Sequence, residues 1–415
     1  MDMTYREWHG ACLYSCGGQL PPDAREAAQV FSPLVITVDR PAKDSRGLYF
    51  IRSVRELREP DGLNLLMPCR TEAPALPPEV AARIEQDGAI VLNTAFSRAF
   101  SVLSAQLDRK KSGLHVNLVG LGDVGGTVLT GLKLLAGGCV SRIGIFDPYA
   151  PLMARYELEL NQVLPLESGA ALPEVSACEE QKLFDCDVLI FTASRGVPGL
   201  DSTVQDVRMA QFEKNREMLS RYARRAREED FRGLFCQVSD PVDPLARAVF
   251  LDSNRAPDGA YDFAGLLPEQ VRGFGLGVMQ ARAAYAAGQL GADFSRGRAF
   301  GPHGEGLIVC NAPNDGYDAA LSLALTEQAR TLNLRVRQLG FKPYIAPGLS
   351  SAAVSILRML RGDWFESAVP LGGCYFGCRS RLCGAAAELF REELSPALLA
   401  RLEASYRTLK ELRYE

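Results

Sequence analysis

The chain has 415 residues, of which 47% are hydrophobic and 23% charged, a composition typical of a soluble globular protein with two or three domains. Its formal net charge of −4 gives no reason to expect nucleic-acid or anionic-membrane partners, and no apolar run is long enough to span a membrane. The first residues lack the apolar centre of a signal peptide, which predicts a cytoplasmic protein. The eleven cysteines are therefore predicted to be thiols rather than disulfides.

Residues 1–112 are predicted to form a small N-terminal α/β domain. Turn residues separate short apolar runs, which predict strands at 34–38, 48–51, 64–67 and 89–92. Two helices are predicted, at 79–85 and 94–109. The sequence leaves open whether this unit is a lid, an oligomer surface or a partner-binding module.

The next stretch has the strand–glycine loop–helix pattern of a dinucleotide site. A short apolar strand leads into Gly120, Gly122 and Gly125, spaced G-x-G-x-x-G, and residues 124–135 predict a helix. The glycines permit a sharp turn, a close approach of backbone to a pyrophosphate, and close packing of helix against strand. The helix N-terminus adds free N–H groups and the positive end of its dipole.

A second strand, at 142–146, ends in Asp147, about 20 residues after the glycine loop. A carboxylate there accepts both ribose hydroxyls of NAD and repels the extra phosphate of NADP. The motif as a whole predicts an NAD site.

Strands and helices keep alternating after this motif. Helices are predicted at 153–163 and 204–228, and strands at 186–192 and 233–238. The run CDVLIFT at 186–192 is continuously apolar, as expected of a parallel strand buried on both faces. The alternation predicts an α/β fold with a Rossmann-type doubly wound parallel sheet over 113–267.

From about residue 268 the pattern changes to that of an α+β substrate domain, predicted over 268–415. Helices are predicted at 279–290, 315–339, 352–360 and 394–410, with a glycine-bearing loop at 299–311 around His303. The cysteines at 374 and 378 are predicted to lie in a glycine-rich turn region. Neither these two with Cys383 nor the pair Cys12 and Cys16 has C-x-x-C spacing, so they are interpreted as small buried apolar residues and no metal site is predicted.

Seven short motifs, in this order, resemble those of the lactate/malate dehydrogenase family, over roughly residues 113–412. They are GLGDVGG with Asp147, CDVLIFTASRGVPG, Arg208-x6-Asn215, SDPVD, VMQARAAY, GPHGEG and GLSSAAVSIL. The last five resemble, respectively, the loop arginine with its following Asn, T-N-P-V-D, L-D-x-x-R, G-E-H-G-D and the small-residue segment of the substrate pocket.

The resemblance implies an NAD(H)-dependent oxidoreductase, cytoplasmic and homodimeric or homotetrameric. It would transfer hydride to or from a small 2-hydroxy or 2-oxo carboxylate, or its amino or imino counterpart. His303 would be the general base and acid, and Arg282 would bind the substrate carboxylate. Arg208 would close over the site and polarise the substrate carbonyl. The implied substrate-pocket residues are Ser350, Ser351 and Arg195. The implied cofactor-binding residues are Gly120, Gly122, Asp123, Val124, Gly125, Asp147, Thr192, Ala193, Ser194, Asn215 and Val238.

Three departures from the family pattern affect the expected chemistry. The family's Asp that orients the histidine is Met279 here, which is expected to make His303 a weaker base. The family's Asn of T-N-P-V-D is Asp240 here, and a carboxylate repels a carbonyl oxygen but accepts hydrogen bonds from an amine or from His303. We therefore hypothesise that Asp240 is a catalytic residue, the partner of His303. The stretch 199–208 is longer than usual, so the substrate-selecting loop residue cannot be aligned.

Two other function classes stay open. A non-catalytic NAD-binding sensor or scaffold would have lost the Asp–His pair, as Met279 suggests. An NAD-dependent glycosidase resembles this fold but would need a metal bound by Cys and His, for which the sequence offers no convincing ligand set.

Overall fold

The fold is described from a computed structural model, which covers residues 5–110, 112–167, 170–195, 207–384 and 386–414, with the backbone alone for 207–210. The strands of this part are β1 (Tyr5–Trp8), β2 (Ala11–Ser15), β3 (Arg25–Ala27), β4 (Leu34–Val38), β5 (Leu48–Ile51), β6 (Ala89–Asn93), β7 (Leu114–Val119), β8 (Val140–Phe146), β9 (Glu174–Ala177), β10 (Val188–Phe191), β11 (Leu234–Gln237), β12 (Val271–Gly273), β13 (Arg298–Phe300), β14 (Ile308–Cys310), β15 (Phe365–Leu371), β16 (Cys374–Cys383) and β17 (Ala386–Leu389).

Its α-helices are α1 (Pro78–Asp87), α2 (Ala99–Asp108), α3 (Asp123–Leu135), α4 (Ala150–Leu160), α5 (Val207–Glu228), α6 (Val242–Ser253), α7 (Leu276–Gln289), α8 (Ala319–Gln338), α9 (Ser355–Arg361) and α10 (Pro396–Lys410). A π-helical segment, Pro347–Val354, runs directly into α9. Among the described helices, none combines the length and apolarity that a membrane crossing requires.

Six parallel strands form one end of the main sheet, starting from the edge strand β9, in the order β9-β8-β7-β10-β11-β12. Most residues of β7, β10 and β11 are buried and apolar, because helices cover both faces of the sheet: α3 packs on one side, and α5 and α6 on the other. The strand order reverses between β7 and β10, the point at which a doubly wound sheet opens a crevice at its carboxyl edge. The predicted Rossmann-type α/β fold is confirmed.

The N-terminal unit continues the same sheet instead of forming a separate one. Strand β5 pairs in parallel with β17, through Tyr49 and Ala387, so the strands of residues 5–93 extend the sheet beyond β15, β16 and β17. The hydrophobic core is also shared, and Phe96 contacts Phe250 of α6 with ring centroids 6.3 Å apart. The carboxylate of Glu269 accepts hydrogen bonds from the backbone N–H groups of Gly47 and Leu48.

Three local predictions are wrong. The strand predicted at 64–67 is instead the 3-10 helix Leu63–Leu66 followed by an extended residue, since an apolar run of this length has no distinguishing periodicity. The loop predicted at 299–311 contains the end of β13 and the whole of β14. Cys374 and Cys378 lie in strand β16, not in a turn region. The glycine inside β16, Gly377, is there because a Cβ would overlap the carbonyl oxygen of Gly301, so it allows a neighbouring loop to approach rather than a turn to form.

Candidate active site at the carboxyl edge of the sheet

Most of the predicted site residues follow the carboxyl ends of the parallel strands. Gly120 follows β7, Asp147 follows β8, Thr192 follows β10 and Asp240 comes shortly after β11. Gly275, which had no predicted role, comes shortly after β12. Because these strands are parallel neighbours, their carboxyl ends lie along one edge of the sheet.

The glycine loop has the close contacts that its spacing predicts. Gly120 has φ +93°, and a Cβ there would lie 2.6 Å from the backbone nitrogen of Ala193. A Cβ at Gly125 would overlap the carbonyl oxygen of Gly120 and lie 2.7 Å from Oγ1 of Thr192. Gly122 differs, because it is exposed at the start of α3 and a Cβ there would meet nothing within 4 Å. The protein itself therefore does not require glycine at position 122, whereas a ligand on the helix N-terminus would.

The two glycines give a matched pair of variants. Gly122→Ala is expected to leave the unfolding temperature unchanged but to weaken NADH binding at least tenfold, about 1.4 kcal/mol, because the methyl group occupies the path of a pyrophosphate. Gly125→Ala is expected to destabilise the protein itself by about 2 kcal/mol through overpacking. Fluorescence titration with NADH and thermal unfolding measure the two effects. Unchanged NADH affinity in Gly122→Ala would argue against a dinucleotide at this loop.

Asp147 is hydrogen-bonded to the glycine loop. Its carboxylate accepts hydrogen bonds from the backbone N–H groups of Leu121, at 2.9 Å, and Tyr149, at 3.0 Å. Each carboxylate oxygen keeps a further lone pair for a ribose hydroxyl. At the start of α3, Asp123 pairs with Lys342 at 2.9 Å. Its neighbour Val124 is half-buried.

The segment after β10 is hydrogen-bonded to the start of the glycine loop. The hydroxyl of Thr192 donates to the carbonyl oxygens of Val119 and Gly120, at 3.0 and 2.6 Å. The carbonyl of Ala193 accepts from Ser239 Oγ at 2.6 Å. The backbone N–H of Val238 donates a hydrogen bond to the carbonyl of Phe191 at 2.9 Å. These residues tie the end of β10 to the segment after β11.

Asn215 of α5 links this segment to Asp240. It is buried, its side chain donates to the backbone carbonyl of Asp240 at 2.6 Å, and it accepts from the backbone N–H of Arg195 at 2.8 Å. It also lies within hydrogen-bond distance of Ser194 Oγ. The guanidinium of Arg195 pairs with Glu217 at 3.1 Å. The side chain of Arg208 and most of the loop before it lie outside the described residues.

His303 lies in the turn between β13 and β14, and two hydrogen bonds hold it there. Its backbone N–H donates to Asp243 at 3.0 Å, and its Nδ1 lies 2.7 Å from the carbonyl oxygen of Gly275. A carbonyl oxygen can only accept, so Nδ1 carries a proton and Nε2 of the neutral ring has a lone pair. Nε2 lies 3.8 Å from Oδ1 of Asp240, which is beyond hydrogen-bond distance. The ring is therefore oriented by a backbone carbonyl, with Asp240 on its other, outward side.

Met279 is a buried core residue. It lies between α7 and α8, and its sulfur is 3.9 Å from Nη1 of Arg282. The position that the family gives to the orienting Asp thus contributes no charge to His303.

Arg282 is a half-buried cation. Its guanidinium contacts the carbonyl of Ala329 at 3.4 Å, and it forms no ion pair within the part of the chain that the structure describes. Burial lowers the pKa of Arg282, and the negative charge of Asp240 opposes that shift. A half-buried guanidinium without an anionic partner can receive a carboxylate.

Of the two predicted serines, Ser351 shares a hydrogen-bond partner with His303. Ser351 is buried, accepts from the backbone N–H of Val278 at 2.9 Å and donates to the carbonyl of Gly275 at 2.7 Å. The same carbonyl therefore receives both Ser351 and His303. The backbone carbonyl of Ser350 accepts from Ser355 Oγ.

Asp243 lies beneath His303 and is almost completely buried. Burial raises its pKa to about 7, although the hydrogen bond from the His303 backbone N–H acts against that shift. Asp243 and Gly275 are the two positions that sequence reasoning did not assign. Asp243 stands inside the quoted SDPVD motif, which could have marked it, whereas Gly275 acts through a carbonyl that every residue type possesses.

Across the described ranges, no group of three or more His, Cys, Asp or Glu side chains is placed to hold a metal ion, and the cysteines are free thiols.

No protein-family model matches the chain, and no curated protein matches its sequence. Solved structures do match its fold. A minor L-lactate dehydrogenase from Enterococcus mundtii matches with a TM-score of 0.59 and 16% identity, over 74% of this chain and 100% of that one. Malate dehydrogenase from Picrophilus torridus matches with a TM-score of 0.57 and 17% identity, over 72% and 95% of the two chains. Malate dehydrogenase from Archaeoglobus fulgidus in complex with NADH matches with a TM-score of 0.57 and 18% identity, over 72% and 98%. The chain therefore has a dehydrogenase-like fold.

Proposed function

We propose that this protein is an NAD(H)-dependent oxidoreductase that acts on a small carboxylate. One observation carries the proposal: a continuous series of contacts joins the glycine loop to His303 along a single edge of the sheet. Gly120 packs on Ala193, Asn215 joins the segment containing Ser194 to Asp240, and Asp240 faces Nε2 of His303. The structure neighbours with lactate and malate dehydrogenase activity in their names agree with this proposal at the level of the fold.

The residues present fit a dinucleotide. The glycine loop and the N-terminus of α3 would receive the pyrophosphate, since the space beside Gly122 is open. Asp147 would accept the ribose hydroxyls. When bound, NAD supplies the acceptor or donor of a hydride.

The chain's own residues provide the remaining functions. Nε2 of His303 takes up or returns the proton of the reacting group, because Nδ1 is occupied by the Gly275 carbonyl. Arg282 holds the substrate carboxylate, and the carbonyl of Gly275 fixes the ring plane with support from Ser351. The predicted role of Arg208 remains part of this proposal. The cytoplasmic location and homo-oligomeric state remain predictions.

NADH binding and turnover test this proposal separately. Titration of the full-length protein with NADH, followed by fluorescence, is expected to show saturable binding, with NADPH binding more weakly because of Asp147. A screen of 2-oxo acids, with and without ammonium, is then expected to show oxidation of bound NADH. Binding without turnover by any of these acids would support a sensor or scaffold instead, and failure to bind NADH would remove the proposal altogether.

A further inference from the structure

With His303 neutral, the state in which it can accept a proton, two hydrogen-bond acceptors face each other at the proposed reaction centre. The contact with the Gly275 carbonyl keeps the proton of the neutral ring on Nδ1, so the ring offers a lone pair at Nε2. The carboxylate of Asp240 has acceptor oxygens alone and lies 3.8 Å from that lone pair, with 53% of its side chain exposed to solvent. An atom within hydrogen-bond distance of both must donate to both.

The number of protons on the reacting group then decides which substrates fit. A hydroxyl has one proton and can satisfy one of the two acceptors, which leaves its oxygen lone pairs facing the other. A carbonyl oxygen has no proton and is repelled by the Asp240 carboxylate. An ammonium or iminium nitrogen has two or more N–H bonds and a positive charge that matches the carboxylate.

The charges around His303 are complementary to those of a zwitterion. Asp240 provides a negative charge for an ammonium group, and Arg282 provides a cation that has no ion-pair partner among the described residues. Arg282 lies on α7, which begins directly after Gly275, the residue whose carbonyl binds His303, and the negative charge of Asp240 acts on its guanidinium. A carboxylate and an amino group on one carbon present the complementary charges.

Resting on the function proposed above, we propose that the substrate is a 2-amino or 2-imino carboxylate rather than a 2-hydroxy or 2-oxo acid. The nitrogen is held between Nε2 of His303 and Oδ1 of Asp240, and the carboxylate is held by Arg282. One N–H proton passes to Nε2 as the C–N single bond becomes double, while a second N–H remains bonded to Asp240. The carbon would give up its hydride to bound NAD, so the two electrons that the substrate loses are accounted for.

Binding measured without turnover tests this inference. In the presence of saturating NADH, amino acids and hydroxy acids are both already reduced, so neither reacts. Calorimetric titrations compare the matched pairs glycine and glycolate, L-alanine and L-lactate, L-aspartate and L-malate, and L-phenylalanine and L-phenyllactate. For at least one pair, the amino acid is expected to bind about ten- to hundredfold more tightly, since its ammonium group is attracted by the Asp240 carboxylate and donates to both acceptors, whereas the hydroxy acid has one proton for the two.

Asp240→Asn supplies the discriminating variant, because the amide has the same shape, no charge and N–H donors of its own. It is expected to remove or reverse the preference for the amino acid while leaving NADH affinity unchanged. The matched control is Asp258→Asn, an exposed residue in a turn, which is expected to leave the preference unaltered.

A spectroscopic readout is independent of affinity. The chain has three histidines, so nitrogen-15 spectra resolve each ring, and His303→Gln identifies the signals of His303. The spectra are expected to show the proton on Nδ1, and addition of the preferred amino acid is expected to shift the Nε2 signal.

The outcomes separate the two proposals. Hydroxy acids that bind as tightly as their amino partners, or NADH binding with no binding of any pair, would overturn the amino-acid inference and leave NAD binding standing. A protein that does not bind NADH would overturn the proposed function as well.

Discussion

Replacement of His303 by glutamine is expected to lower turnover at least a hundredfold while leaving NADH affinity and unfolding temperature nearly unchanged, since general acid–base catalysis typically contributes about 10² to 10⁴ in rate. Glutamine keeps a polar side chain of similar reach but cannot exchange a proton near neutral pH. The hydrogen bond to Asp243 comes from the backbone of His303 and survives the substitution. The measurement is the steady-state rate of NADH formation or consumption with the substrate preferred in the binding experiments.

Two further variants test whether turnover depends on the position of the His303 imidazole. Gly275→Ala keeps His303 but places a Cβ 2.7 Å from its Cβ and 2.9 Å from its Cγ, so the ring must move. This variant is expected to lose a large part of the activity, with NADH affinity preserved. His9→Asn removes a surface histidine from a residue with φ +47°, a conformation that asparagine tolerates, and is expected to have no effect. Full activity in His303→Gln would show that another group carries the proton.

The structure of the glycine loop and of the strand before Asp147 was predictable because its sequence signal is local. Gly120, Gly122, Gly125 and Asp147 are close in sequence, and the chain geometry of a strand, a tight turn and a helix leaves few other arrangements. Strand β10 was found for a similar reason, since a strand buried on both faces is a continuous apolar run, and β11 is apolar up to Gln237.

The surroundings of His303 depend on contacts between distant segments, which local patterns do not encode. The group that orients His303 is the carbonyl of Gly275, and a backbone carbonyl leaves no mark on residue identity. Gly377 was interpreted as part of a turn, although it permits Gly301 to approach β16, where its carbonyl accepts from the Gly301 N–H at 2.9 Å. The pairing of β5 with β17 was likewise missed, because it joins residues far apart in the sequence.

Asp243→Asn is expected to change how the stability of the protein depends on pH. Burial raises the pKa of Asp243 to about 7, well above that of an aspartate in an unfolded chain. The folded state therefore binds a proton more tightly than the unfolded state, and folding loses stability as the pH rises from about 4 to about 7. The loss from this one carboxyl amounts to about 4 kcal/mol over the whole range, and to about 3 kcal/mol between pH 5 and pH 8.

Asparagine removes the titration but keeps an oxygen that can accept the hydrogen bond from the His303 backbone N–H. The free energy of unfolding, measured in urea at pH 5 and pH 8, is therefore expected to fall less steeply in Asp243→Asn than in the wild type. Glu269, whose pKa is also raised to about 7 by burial, contributes a loss of the same sign, so Glu269→Gln serves as an independent reference. Each variant is expected to reduce the pH dependence of the unfolding free energy, and the two reductions are expected to be nearly additive. The two side chains make separate contacts, Asp243 with the backbone of His303 and Glu269 with the backbone of Gly47. If the slope in Asp243→Asn equals that of the wild type, Asp243 is ionised throughout this range, and His303 rests on a permanent negative charge rather than on a carboxyl that is half protonated near pH 7.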